Sequence, residues 1–183
     1  MKNDKPYTGS YRTLLACRKA EVIYDLTSYF CGKYFHRGDR TIDQMVQAAR
    51  SGKQNIIEGV ESAKTSSETL LKLINVANSS LHELLADYED YLRIRNMQLW
   101  EKDSKEAVAM RKLGRKYKNS KPFIEIAQTR SDEVVANMVI VLIYQALLLL
   151  HRYYAKRYRN FIENGGFREN LTKERIAYRN KKK

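Results

Sequence analysis

The sequence predicts an all-α fold, and three observations carry that expectation. Only two prolines and eight glycines punctuate 183 residues, and no stretch alternates apolar and polar residues between turn signals as a half-buried strand would. Apolar residues recur instead at mixed three- and four-residue spacing over several long segments. One of these, Val134–Leu150 (VVANMVIVLIYQALLLL), is interrupted only by Asn137, Tyr144 and Gln145. On a helix those three fall on a single narrow stripe, at i, i+7 and i+8, which His151 and Arg152 prolong. The expected architecture is an antiparallel four-helix bundle in a single domain, 1–183. Its helices run over 10–35, 41–61, 66–95 and 132–164. A basic insertion with a helical piece (96–130) separates the third from the fourth, and a basic tail (165–183) follows.

Each element has its own warrant. Residues 1–9 are polar and read as a loose arm. From Ser10 to about Phe35, Leu14, Leu15, Cys17, Val22, Ile23, Leu26 and Phe30 mark the inward face of a first helix, which HRGDR (36–40) breaks. Thr41 and Gln44 have the spacing of a capping box opening the second helix, with Met45, Ala49, Ile56 and Val60 inward. Gly52 and Gly59 cost that helix about 1 kcal/mol each relative to Ala, so they are expected where another helix approaches closely. Thr65 and Glu68 repeat the box before a third helix, whose stripe runs from Leu70 to Leu92. Leu99, Trp100, Val108 and Leu113 anchor a short helical piece around 104–113 in the insertion, which Lys121-Pro122 closes. Gly165-Gly166 stops the last helix.

Apart from its stripe, the Val134–Leu150 circumference is apolar, wider than the roughly 100° face of a surface helix, so it must be covered from more than one side. A membrane span is the rival reading. The run is shorter than about 20 residues, and Ser131-Asp132-Glu133 before it and HRYYAKRYR after it are soluble in character. The favoured reading shares the helix between the bundle and a neighbouring subunit, making Val139, Ile143, Leu147 and Leu150 the candidate homo-oligomer interface.

Composition points to partners. Lys and Arg total 34 against 21 Asp and Glu, a net charge of +13, which favours polyanions over any particular fold. Cys17 and Cys31 stand roughly 21 Å apart along one helix, too far for a disulfide, and read as reduced thiols. With no apolar leader at the start, the expected location is cytoplasmic.

Catalytic chemistry finds little footing. His36, His82 and His151 lie on different segments with no carboxylate or Cys at metal-ligand spacing, and no phosphate-cradling glycine loop or nucleophile elbow occurs. No catalytic residue, metal or cofactor is assigned. Glu58 and Glu83 read as structural partners of Arg50 or Lys53 rather than as a paired acid site. The basic residues are more telling. Arg111, Lys112, Arg115, Lys116 and Lys118 form the densest cluster, in a segment (98–121) with eight Lys/Arg against three acids. On the last helix Arg152, Lys156 and Arg159 form one stripe beside Tyr154, Tyr158 and Phe161. Cations next to rings suit phosphates and unpaired bases; equally, the rings complete the core and the cations are its solvated face. The Lys-rich end, 181–183, is a phosphate-contacting arm or a solubilising tail.

The second and third helices also carry a resemblance. DQMVQAARSGKQNIIEG (43–59) and SSETLLKLINVANSSLHELL (66–85) resemble the four-helix-bundle proteins encoded by intervening sequences in bacterial large-subunit ribosomal RNA genes. Gln47, Arg50, Asn55, Ile56, Glu58 and Gly59 fall on that family's first motif, and Ser79, Ser80, Leu81 and Glu83 on its second. The same fold is found in the accessory variability determinant of diversity-generating retroelements, and GGFRENL (165–171) is similar to a suffix of one subgroup of bundle proteins. The resemblance implies a homo-oligomer, most simply a pentamer, that binds RNA or DNA and works beside a reverse transcriptase. Two functions are therefore expected: a non-enzymatic nucleic-acid-binding bundle, or a protein-interaction scaffold whose basic face docks an acidic partner.

Overall fold

The computed structural model describes residues 11–182, and among them every regular element is a helix. A 3₁₀ turn (Tyr11–Thr13) leads into α1 (Leu15–Tyr34), followed by α2 (Arg40–Ser62), α3 (Ser67–Ile94), α4 (Lys105–Lys116), α5 (Lys121–Gln128), α6 (Asp132–Asn164) and α7 (Phe167–Lys181). The arm expected over 1–9 lies outside the described residues, as do Ser10 and Lys183.

The helix starts differ in detail from the expected capping boxes. The α2 cap is Asp39, whose carboxylate accepts from the Thr41 N–H at 2.9 Å. The α3 cap is Ser66, whose hydroxyl accepts from the Thr69 N–H at 3.1 Å. Thr41 and Thr65 are therefore not caps. In each case a neighbouring short polar side chain sits where the backbone is still extended, as capping requires. At the far end of α3, Asn96 adopts the left-handed conformation (φ 53°) and the Met97 N–H donates back to the Leu92 carbonyl. This closes the helix in the Schellman manner.

α2 packs on α1 and α3, α6 packs on the same two helices, and α4 lies against α6. One apolar core results. Ile23, Leu26 and Phe30 of α1 meet Met45 and Ile56 of α2, Leu81, Leu84 and Tyr88 of α3, and Val135, Val139 and Ile143 of α6. Burying such side chains contributes about 1.5–3 kcal/mol each. The two α2 glycines are contact positions, as expected. A Cβ on Gly52 would stand 3.1 Å from Leu81 Cδ2, and one on Gly59 would stand 3.3 Å from Leu73 Cβ. Beside Gly52, Ser51 and Ser80 hydroxyls share a hydrogen bond of 2.9 Å, and Asn55 donates to Ser51, so polar residues also tie α2 to α3. Glu58 and Glu83 are exposed, while Lys53 places its ammonium 4.0 Å from the Tyr24 ring centroid.

Two segments hold more helix than the sequence suggested. α5 begins at Lys121-Pro122, which opens a helix rather than closing a segment; a first-turn proline loses no intrahelical bond. The expected tail contains α7, which buries no residue. Its start follows Gly165 (φ 74°), and the Glu169 carboxylate accepts from the Gly166 N–H at 3.2 Å.

The largest correction concerns α6. Val139 and Ile143 are 0% exposed, Leu150 1% and Leu147 9%, all within a single copy of the chain. They are core residues, not an accessible interface. The α6 run is covered on its remaining side by the chain's own 98–118 segment, which crosses the polar stripe. Asn137 accepts from the Trp100 N–H (2.7 Å) and donates to the Gln98 and Glu133 carbonyls (2.8 and 2.9 Å). Gln145 donates to the Arg111 carbonyl at 2.9 Å. The same stripe carries Tyr144, whose hydroxyl reaches Glu89 of α3 at 3.2 Å. By length and composition α6 could also cross a membrane, but its apolar run is buried against the chain itself. Beyond Leu150 no residue of α6 is buried, so its last turns project from the core.

Candidate functional site

Where α4 crosses α6 and α1, the packing leaves a groove of about 900 Å³. Its shape follows from the sequence. Gly114 lets α4 sit close on α6, since a Cβ there would be 2.1 Å from Gln145 Oε1. The segment before α4 is pinned by Asn137, which holds Leu99 and Trp100 along one wall.

Seven cations line this groove: Arg18, Lys19, Lys102, Arg111, Arg115, Lys118 and Arg152. No carboxylate lines it among the described residues. Of the eight cations singled out from sequence, the fold thus brings Arg111, Arg115, Lys118 and Arg152 together from α4, the link after it and α6. Arg111 is the most constrained, donating to the Lys102 carbonyl and standing 3.6 Å from the exposed Asp103 carboxylate. Lys112 and Lys116 point away from the groove into solvent, Lys116 standing 5.1 Å from the Tyr117 ring centroid. Lys156 and Arg159 lie farther along the projecting end of α6 and are exposed. There Tyr154 and Tyr158 lie nearly parallel, their centroids 6.1 Å apart and planes 8° from each other. Tyr154 packs against the core, as one of the two expectations had it, and Tyr158 is half exposed.

The sequence reading missed Lys19. It is 6% exposed, its ammonium donates to the Gly114 carbonyl, and it stands 5.8 Å from the Phe123 ring centroid. No carboxylate pairs with it among the described residues, and burial pulls its pKa down to about 8. A lone lysine on an amphipathic helix looks like a solvated charge in sequence. Only the docking of Gly114, distant in the chain, buries it.

The two thiols sit in the core away from the groove, both free and buried. Burial raises Cys17 to about 11 and Cys31 to about 12, and Cys31 Sγ lies 3.9 Å from Met45 Sδ. Neither is a thiolate at neutral pH. Among the described residues no cluster of His, Cys, Asp or Glu is arranged to hold a metal ion.

Comparisons of the chain with protein-family models, with curated proteins and with solved structures return no significant match.

Proposed function

We propose that this chain is a non-enzymatic, homo-oligomeric four-helix bundle that binds RNA or DNA through phosphate contacts. The contact order of α1, α2, α3 and α6, each packed on two of the others, supports the bundle, with 98–130 as an insertion laid across α6. The observation that carries the binding reading is the basic groove: seven lining cations from three regions of the chain and no lining carboxylate among the described residues. Of these cations only Arg18 (to Glu21) and Arg111 (to Asp103) stand within 3.6 Å of a carboxylate among the described residues. Such an arrangement costs self-repulsion that a polyanion offsets, and counterion release from the polyanion drives association. Arg111, Arg115, Lys118 and Arg152 contact phosphates at the rim, and Lys112, Lys116, Lys156 and Arg159 extend the track along α4 and the projecting α6. The resemblance of 43–59 and 66–85 to intervening-sequence bundle proteins agrees with this reading. It favours a pentamer acting with a reverse transcriptase in the cytoplasm, without a membrane.

The test is a salt titration with single- and double-stranded oligonucleotides of unrelated sequence. Affinity should fall log-linearly with salt, by about 0.7 or 0.9 in slope per phosphate contacted on single or double strands respectively. Reversing Arg115→Glu and Lys118→Glu, both exposed, should leave circular dichroism unchanged, weaken all sequences alike and flatten the slope by about one to two units. Absence of binding at about 50 mM salt, where electrostatic association is strong, would reject the reading. The basic face would then fit a scaffold for an acidic protein.

A further inference from the structure

Phosphates at the rim leave the floor of the groove unexplained. Leu15, Leu99, Tyr144 and Leu148 are 49%, 46%, 54% and 50% exposed, and all four open into this one concavity. Single exposed apolar residues are ordinary, whereas a contiguous set inside a cleft marks a contact surface. Three of the four are aliphatic, as are Ile140 and Leu149 beside them. Trp100 and Tyr117 also line the groove but are partly buried against the core. The most exposed part of the floor is therefore mainly aliphatic and suits hydrocarbon better than the flat face of a base, which stacks on aromatic rings.

At one corner the floor meets a polar cluster with unused capacity. An ammonium carries three donors, and that of Lys19 has one acceptor, the Gly114 carbonyl, with no carboxylate paired to it among the described residues. Across Gly114, Gln145 spends its Nε2 on the Arg111 carbonyl while its Oε1 is buried with no hydrogen-bond partner. The missing side chain of Gly114 lets Gln145 Oε1 pack against α4 here, where a Cβ would meet it at 2.1 Å. A buried cation without a counter-ion and a buried acceptor without a donor both carry a desolvation cost until something pairs with them.

We infer that the groove binds a single-chain aliphatic anion, a fatty carboxylate or an alkyl phosphate, with its acid group at Lys19 and its chain along Leu15, Ile140, Leu148 and Leu149. The acid group supplies the acceptors that Lys19 lacks, and a bound water, or the remaining hydroxyl of an alkyl phosphate monoanion, supplies the donor that Gln145 lacks. Arg111 and Arg152 at the rim add to the attraction. The volume, about 900 Å³, falls within the range of roughly 300–1,000 Å³ typical of small-ligand sites. A second copy of this chain suits the groove poorly, since one basic surface repels another. This site shares Arg111 and Arg152 with the phosphate track and differs from it in chemistry, because it needs a chain as well as a charge.

The experiment is calorimetric titration of the full chain with hexyl, octyl, decyl and dodecyl phosphate and with dodecanoate, all below their aggregation concentrations. Affinity should rise about threefold to fourfold per buried methylene until the groove is filled. Dodecanol, lacking the charge, and inorganic phosphate, lacking the chain, should each bind at least about tenfold more weakly than dodecyl phosphate. Lys19→Met should reduce dodecyl phosphate binding at least about tenfold while leaving dodecanol unaffected. Leu148→Glu, at a half-exposed position that tolerates substitution, tests the floor independently and should also abolish binding by setting a carboxylate against the ligand. Equal affinity for dodecanol and dodecyl phosphate, no dependence on chain length, or full binding by Lys19→Met would each overturn the inference. Preference for dodecanoate over dodecyl phosphate, or the reverse, identifies the acid group and supports the site in either case.

Discussion

Lys19 makes a sharp prediction about stability against pH. Its ammonium is held at a pKa of about 8 by burial, against about 10.4 in an unfolded chain. The folded-state pKa is the lower one, so between these values the unfolded chain binds more protons than the folded chain, and stability rises with pH. The penalty for holding the charge inside is fully present below about pH 8 and disappears as pH approaches about 10.5. At about 1.36 kcal/mol per unit it amounts to roughly 3 kcal/mol, of which most, about 2.5 kcal/mol, is recovered between pH 7 and pH 10. In a domain of this size each kcal/mol moves the melting temperature by about 2–4 °C.

The assay compares thermal melts of the wild type with Lys19→Met across that range. Other titrating groups act on both proteins, so the difference between them isolates Lys19. Met also leaves the Gly114 carbonyl without its donor, a cost of about 1–3 kcal/mol that does not vary with pH. The two proteins should therefore be close in stability near pH 7, and the wild type should gain about 5–10 °C over the variant by pH 10. Parallel curves from pH 7 to 10 would refute the reasoning, because they would mean that Lys19 is as well hydrated folded as unfolded. A bound alkyl phosphate should flatten the wild-type curve, since the anion stabilises the charged ammonium.

Other predictions follow from the packing. Val139→Asp places an unpaired charge at a position with 0% exposure, costs several kcal/mol, and should unfold the chain by circular dichroism rather than merely dissociate an assembly. Gly59→Ala should lower the melting temperature despite better helix propensity, because its Cβ meets Leu73 Cβ at 3.3 Å and the Leu70 carbonyl at 3.4 Å; a rise would show that α2 and α3 slide apart easily. Cys17 and Cys31, raised to about 11 and about 12 by burial, should resist alkylation at pH 8 in the native protein and react at once in denaturant. Light scattering at micromolar concentration tests the oligomer, and a mass of 21.5 kDa would reject it.

Much of the fold was legible in the sequence because it is written in local terms. The limits of α6, Asp132 and Asn164, follow from an acidic first turn and a terminal Gly165, and the inward faces of α1 to α3 follow from apolar spacing. Features settled by neighbours were less legible. Asp39 and Ser66 outcompeted Thr41 and Thr65 as caps by one or two positions, a shift that composition alone does not decide. α5 was missed because Pro122 can end one segment or begin the next. At the site, the cluster around Arg115 stood out as charge density, but charge density does not say which cations converge. Arg18 and Lys102 join the groove only because α1 and the pre-α4 turn pack there, and Lys19 stands out only because the fold buries it.

The α6 run shows how a correct physical demand can be met by the wrong partner in a sequence reading. A helix apolar almost all round must be covered on several sides, and from sequence the missing cover was assigned to a neighbouring subunit through Val139, Ile143, Leu147 and Leu150. The chain supplies that cover itself. Asn137 and Gln145, two of the three breaks in the apolar run, hydrogen-bond the crossing segment at Gln98, Trp100 and Arg111. They are docking points for the 98–118 segment. Because the 98–118 segment covers α6 with a basic strip that does not close tightly around Leu148 and Tyr144, covering the core and creating the groove are one event. Whatever occupies that groove, a phosphate track or an acyl chain, therefore reports on the seating of α4. Weakening that seat at Asn137→Ala, which removes the hydrogen bonds to Gln98 and Trp100 and leaves the rest of the core intact, should cost about 1–3 kcal/mol. It should also loosen ligand binding without altering any cation. Unchanged binding in a destabilised Asn137→Ala protein would separate the groove from the seat and sink this link.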